Sequence, residues 1–299
     1  MTHALVVLNP VSGTRDAGET RATILNHLQG EGWACDIHET AAGEKISDSV
    51  RRMVSPEKGK GYDLVVASGG DGTLSAVASG LVGHSVPLGL VPSGTGNALA
   101  RDLHIPLEPT EALRLLTGPH RLRPIDALDV GSDYYFLNIS IGVSAAAIVD
   151  TERHQKQRLG LLAYLITMVR EVIGLQPARF DLEIDDEHRT VYAADIVVAN
   201  SGIIGVSALH LGPQVTVDDG VVAVCVVRAR TILDYIGALW SILLRRGDRG
   251  EQIECLSATK TVRIASRRRL PVQADGEPLG HRQVTARVVP HAVTLIVPA

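Results

Sequence analysis

The sequence predicts a doubly wound α/β domain followed by a β-rich domain, and three observations carry that expectation. From residue 4 to about residue 117, short β-branched runs alternate with helical patterns, as in βαβ units around a parallel sheet. Three glycine-rich loops each stand where such a run ends and a helix begins, the place where open α/β sheets bind ligands. After Gly118-Pro119 the texture changes to many strand-like runs separated by turn residues. A chain of 299 residues fits two domains, each large enough to bury its own core.

In the first half the strand-like runs are 4–8, 33–38, 63–67 and 87–91. Between the first two lies 19–28, where Ala22, Ile24, Leu25 and Leu28 recur at helical spacing. In the second half the runs are 125–130, 134–141, 180–184, 192–200, 221–227, 261–265 and 284–288. Two helical patterns interrupt them, 159–173 and 232–244, both apolar enough to cover a sheet. The boundary is expected near 118–123, giving domains 1–120 and 121–299, and the last run, 292–297, fits either domain. No internal repeat or low-complexity tract is present.

Composition narrows the function classes. With 45% hydrophobic and 21% charged residues the chain reads as folded and soluble. Lys+Arg at 29 against Asp+Glu at 33 gives a net charge of -4, and aromatics are 3%, so neither a general field nor a stacking surface favours nucleic acid. Cys35, Cys225 and Cys255 are an odd number at wide spacing and read as neither a disulfide framework nor a zinc site. A reducing, cytoplasmic setting is the expectation. The N-terminal MTHALVVLNP reads as a first strand rather than a signal peptide, and no apolar run reaches the ~20 residues that cross a bilayer. Residues 233–246 form an amphipathic pattern ending in Arg245 and Arg246, which reads first as a core-packed helix and second as a membrane-surface contact.

The three loops are Asn9-Pro10-Val11-Ser12-Gly13, Ser68-Gly69-Gly70-Asp71-Gly72-Thr73 and Pro92-Ser93-Gly94-Thr95-Gly96-Asn97. Glycines at such turns let backbone N–H groups approach a phosphate, and the following helix N-terminus adds a favourable partial charge. No Lys follows these glycines, so a P-loop is excluded. Leu99 and Ser75 stand where the dinucleotide fingerprint G-x-G-x-x-G/A needs its last small residue, which disfavours a dehydrogenase. A carboxylate at Asp71 inside a phosphate loop suits hydroxyl activation or magnesium handling, while a helix cap near Gly72 is the plainer reading.

These loops, together with Asp275-Gly276-Glu277, resemble the diacylglycerol kinase catalytic domain family, which includes bacterial lipid kinases and sphingosine kinases. The match runs in order through nearly the whole chain. The resemblance implies a phosphofructokinase-like and NAD-kinase-like N-terminal domain that binds ATP, a β-sandwich C-terminal domain that holds a lipid, and an active site in the cleft between them. Carried over by position, the nucleotide contacts are Asn9, Pro10, Val11, Ser12, Gly13, Thr40, Gly69, Gly70, Asp71, Gly72, Thr73, Leu74, Ser75 and Thr95. Ser75 stands where many bacterial relatives carry Asn, and Ala76 where Glu is frequent.

Read alone, Asp275-Gly276 is a hairpin turn. The resemblance makes Glu277 the acceptor of the lipid hydroxyl proton, with Asp71, which takes that role in sphingosine kinases, as the second candidate. It also implies a structural Mg2+ held by the Asp219 side chain and the carbonyls of Thr216 and Val221, and a second Mg2+ on the β- and γ-phosphates of ATP. Hard oxygen donors with few carboxylates suit magnesium.

The implied partner is a lipid substrate at a membrane surface, placing the protein in the cytoplasm at the inner face of the membrane, and a homodimer is the default assembly. Arg153, Arg158, Arg245 and Arg246 could meet anionic headgroups, although a solvated fringe is the plainer reading, and Arg267-Arg268-Arg269 reads as an exposed turn. The nearest alternatives are a NAD kinase-like enzyme, disfavoured by Ala98 where that relative carries Glu, and a non-catalytic nucleotide- or lipid-binding protein, for which Asp71 and Glu277 would have little use.

Overall fold

The computed structural model of the chain describes residues 2–13, 16–56, 60–131, 133–150, 177–202, 216–229, 231, 234, 237, 252–281 and 283–299. The chain divides into two compact units, one of Met1–Ala127 with Pro290–Ala299 and one of Leu128–Val289. Expected elements at 159–173, and nearly all of 232–244, lie outside the described residues, as do Arg153, Arg158, Arg245 and Arg246.

In the first unit, strands β1 (His3–Leu8), β2 (Ala34–Glu39), β3 (Leu64–Gly69) and β4 (Leu88–Pro92) form a parallel sheet in the order β2-β1-β3-β4. The order reverses between β1 and β3, so the turns leaving these two neighbouring strands open on the crevice that such a reversal creates. Every residue of β1 from Ala4 to Leu8 is buried, which a central strand covered on both faces requires. Helix α1 (Ala17–Gly30) starts where the Asp16 carboxylate accepts the Glu19 N–H, and it buries Ile24 and Leu28. Those two side chains pack with Val6, Leu8, Val66 and Val91, and with Leu113 and Leu116 of α5 (Pro109–Thr117). Helices α2 (Ile46–Val54), α3 (Asp71–Leu81) and α4 (Ala98–Asp102) complete the unit.

The division falls after Ala127, because β5 (Arg121–Asp129) runs straight through the region where the composition suggested a break. The final strand, β16 (Gln283–Val297), starts in the second unit and ends in the first, where Leu295 lies beside Leu88 of β4.

The second unit is a β-sandwich. One layer is an antiparallel six-stranded sheet of β12 (Ile253–Ala258), β11 (Val222–Val227), β10 (Asp195–Ala199), β7 (Asn138–Gly142), β14 (Pro271–Ala274) and β15 (Glu277–His281), in that order. The other contains the start of β16, β13 (Thr261–Ser266), β8 (Ala178–Ile184) and β9 (Glu187–Ala193). Alternate residues of both layers form the core, including Phe180, Leu182 and Ile184 from one and Ile196, Val198, Val222, Val224 and Val226 from the other. Short β6 (Tyr134–Tyr135) precedes β7, and α6 (Val143–Asp150) follows it.

Two expected strands are each two elements. The run 192–200 breaks at Ala194, where the chain leaves β9 in one layer and enters β10 in the other. The run 134–141 breaks at Phe136-Leu137, whose N–H groups turn to a carboxylate instead of a neighbouring strand.

The cysteine reading is corrected. Cys225 and Cys255 are directly opposite on β11 and β12 and form a disulfide, leaving Cys35 as the free thiol. A separation of 30 residues hid a pairing that only the strand register creates. Replacing both cysteines with Ser is expected to lower unfolding free energy by about 2–4 kcal/mol, because the bridge restricts the unfolded chain, and denaturant titration of the oxidised protein measures it.

Candidate functional site

The three glycine-rich loops follow β1, β3 and β4, and they are fastened to one another. Asn9 Nδ2 donates to Thr73 Oγ1 at 2.8 Å, joining the first loop to the second. The Ser12 and Ser93 hydroxyls lie 3.0 Å apart, joining the first to the third, and Ser93 N–H donates to Gly69 O at 2.9 Å, joining the third to the second. Thr40, at the end of β2, donates its N–H to Leu8 O and so flanks the first loop. The three loops that carry the candidate nucleotide contacts of this unit therefore come together.

Glycine is required here for close approach. A Cβ on Gly94 would stand 2.6 Å from Gly70 Cα, and a Cβ on Gly13 would stand 2.1 Å from the carbonyl oxygen of Ser93. Gly13 also has φ +80°, where side chains are strained. A helix leaves the N–H groups of its first turn without intrahelical partners, and in α3 that turn is Asp71-Gly72-Thr73. Crossing loops without side chains, set against a helix N-terminus, fit the phosphates of a nucleotide. Val11 and Thr95 are exposed at the tips of their loops.

Asp71 is not the cap of its own helix, since Gly70 holds that position. Its Oδ1 instead accepts the N–H of Ala98 at 2.6 Å, so it holds the start of α4 against the second loop. Asn97 supplies no side-chain cap there because it is committed to Gly94, accepting its N–H and donating to its carbonyl, from a left-handed conformation at φ 49°. This separates two roles by experiment. Asp71→Asn keeps an oxygen for the Ala98 N–H and should leave thermal stability close to wild type, whereas Asp71→Ala loses the acceptor and should cost about 1–3 kcal/mol, read by denaturant titration. A large loss of turnover in Asp71→Asn alone would then report the missing charge.

Leu74 packs its side chain fully into the core, and its N–H donates to Gly70 O at the start of α3. Ser75 is likewise buried. The sequence reading named the third loop as a whole but carried only Thr95 of it into the nucleotide contacts; the fastening roles of Ser93, Gly94 and Asn97 come from the structure, with Asn97 in positive φ directly after a glycine.

In the second unit, Asp275 and Gly276 form the two-residue turn between β14 and β15, with φ of 47° and 87°, as a type I′ hairpin demands. The turn is tied to the segment before β7. The Asp275 carboxylate accepts N–H groups from Phe136 at 2.8 Å and from Leu137 and Asn138 at 3.0 Å each. Gln273 donates to Asn138 and Ser140 and accepts the Gly276 N–H, all at 2.8 Å. Glu277 leaves this turn at the first position of β15. Burial pushes its carboxyl above the usual glutamate value, and the nearby charges of Asp275 and Asp133 push the same way. The Tyr135 hydroxyl is raised by burial and then by Glu277, Asp133 and Asp275, so it stays protonated beside them.

Thr216, Asp219 and Val221 lie on and around the turn at 217–220 that leads into β11. One oxygen of the Asp219 carboxylate accepts the Val221 N–H at 3.0 Å. A single carboxylate beside backbone carbonyls fits a magnesium that keeps most of its water. Among the described residues no three His, Cys, Asp or Glu side chains converge on a metal. Among the same residues no helix is long and apolar enough to cross a membrane. Arg267, Arg268 and Arg269 are exposed between β13 and β14.

Comparison with known proteins matches both units. Residues 3–130 match the family model described as diacylglycerol kinase catalytic domain, and residues 138–297 match the one described as YegS C-terminal NAD kinase beta sandwich-like domain. A Pseudomonas putida protein named "Probable lipid kinase YegS-like" is 31% identical over 99% of this chain and 95% of its own length. One of the same name from Stenotrophomonas maltophilia is 31% identical over 98% and 96%. The crystal structure of a diacylglycerol kinase from Bacillus anthracis superposes with a TM-score of 0.79 at 22% identity, covering 99% of this chain and 96% of that one, a likeness of fold.

Proposed function

The chain belongs to the diacylglycerol kinase family, within the YegS-like lipid kinases, and from that premise we propose that it transfers the γ-phosphoryl group of ATP to the hydroxyl of a lipid such as diacylglycerol. The observation that carries the reading is Glu277, a carboxyl with a raised proton affinity directly after a turn held by buried polar contacts. A base must be ionised yet basic, and a glutamate whose proton affinity is raised meets both conditions better than an ordinary one. Asp71 is the weaker candidate for that task because one of its oxygens already accepts the Ala98 N–H.

Phosphoryl transfer asks a protein for alignment and charge stabilisation rather than covalent chemistry. The first turn of α3 and the loops at Asn9 to Gly13 and Ser93 to Asn97 would hold the nucleotide phosphates, with Thr40 and Thr95 beside them. Asp71 would hold a magnesium on those phosphates, and that ion neutralises charge on the transferring group when bound. Glu277 takes the hydroxyl proton as the lipid oxygen forms its bond to phosphorus and the ADP oxygen leaves. The reading requires the loops of the first unit and Glu277 of the second to serve one transfer. Asp219, with Thr216 and Val221, would hold a second magnesium that supports its own turn.

The test is Mg2+-dependent ADP release from ATP by the full chain, with diacylglycerol in mixed micelles, sphingosine and NAD as separate acceptors. Stimulation by a lipid is expected and begins to name the substrate. Stimulation by NAD alone would overturn the proposal, and ATP binding with no acceptor-dependent turnover would favour a binding protein.

A further inference from the structure

Glu277 sits on a turn whose geometry is decided by another acid. Asp275 is buried, occupies a left-handed conformation, and spends both carboxylate oxygens on three consecutive backbone N–H groups, those of Phe136, Leu137 and Asn138. The backbone reciprocates, since Asp275 N–H donates to Asn138 O at 2.9 Å. The far side of that segment is held as firmly. Asn200 Nδ2 donates to Phe136 O, and the N–H groups of Asn200 and Ser201 donate to Leu137 O. A plain I′ turn needs none of this, because Asn-Gly or Gly-Gly closes it without any long-range acceptor.

We infer that Asp275 is a positioning residue for Glu277, its carboxylate clamping the 136–138 backbone so that the turn presents Glu277 in one place with a fixed negative charge beside it. The inference rests on the reading of Glu277 as the base. Three N–H donors converging on one carboxylate stabilise its anion. That anion and the glutamate two residues on are like charges, so each disfavours a second ionisation nearby. Among the described residues, the titratable groups whose charge bears on Glu277 are Asp275 from the turn and Asp133 from the segment before β7, with Tyr135 beside them, and the described side chains of α6 at 143–146 carry no titratable group. Among them only Asp275 both bears charge on Glu277 and ties the turn before it to the 136–138 backbone.

The experiment pairs Asp275→Asn with Glu277→Gln. Carboxyl-carbon NMR of the substrate-free protein follows the titration of Glu277, and the acid limb of kcat/KM is measured alongside it. In Asp275→Asn the Glu277 midpoint and the acid limb are expected to move together to lower pH, because a like charge is gone, and kcat should fall about 10- to 100-fold through misplacement. A folded Asp275→Asn protein whose Glu277 midpoint stays at the wild-type value overturns the inference. If the amide variant does not fold, Asp275→Ser removes the charge but still offers one acceptor, and the same downward shift is expected. Full activity in Glu277→Gln would instead sink the base assignment, a separate result that leaves the NMR midpoints as measured.

Discussion

Glu277→Gln is expected to reduce kcat more than about 100-fold while leaving the fold intact, since general base catalysis contributes roughly 10²–10⁴-fold. The amide keeps the shape of the side chain and cannot take the proton. Its neutral amide escapes the partial desolvation and the two neighbouring acids that oppose the carboxylate, so stability should be unchanged or slightly raised. With Glu277 as the base, wild-type activity should be lost as pH falls through its pKa, which lies above the ordinary glutamate value, so the acid limb should sit at correspondingly higher pH. The variant should show low activity without that limb. Steady-state pH profiles and thermal melts of both proteins decide it, and turnover near wild type would return the base role to Asp71.

The second large effect belongs to Gly94→Ala. The added methyl would meet Gly70 Cα at 2.6 Å, and that neighbour is backbone, which cannot rotate away as a side chain would. The loops must part, and three fastenings resist: Gly94 N–H to Asn97, Ser93 N–H to Gly69 O, and the paired hydroxyls of Ser12 and Ser93. The expected result is a loss of about 100-fold in kcat/KM for ATP, the scale of a displacement near 1 Å in a site that works by alignment. Overpacking should also cost roughly 1–3 kcal/mol of stability. Gly83→Ala is a control away from the loops, where φ is +84° but no atom lies within 4 Å of the added Cβ. It should lose some stability and keep its KM for ATP.

Much of this architecture was legible in the chain itself. Alternating runs and helical spacings located the four parallel strands of the first unit to within a residue or two, because burial on both faces leaves a continuous apolar run and the turns between carry glycine. The three loops were visible as spelling, and Asp275-Gly276 announced its hairpin through the only residue types that accept its dihedrals cheaply. The strands at 253–258, 271–274 and 277–281 were not visible, since β12 and β15 are short edge strands and β14 lies beside β15, with little alternation to mark them.

What the sequence by itself determined is therefore local: which segments extend or coil, and which residue types are available at each turn. Periodicity and turn chemistry act between near neighbours, so one chain read in order contains them. The tertiary structure alone decided which distant groups meet. It placed the turns after β1 and β3 side by side, paired Cys225 with Cys255, sent the chain from one sandwich layer to the other at Ala194, and brought the Asp275 carboxylate to the N–H groups of Phe136, Leu137 and Asn138. These meetings follow from strand order and register, which the burial of whole faces selects, and no local pattern around any one of the partners names the other.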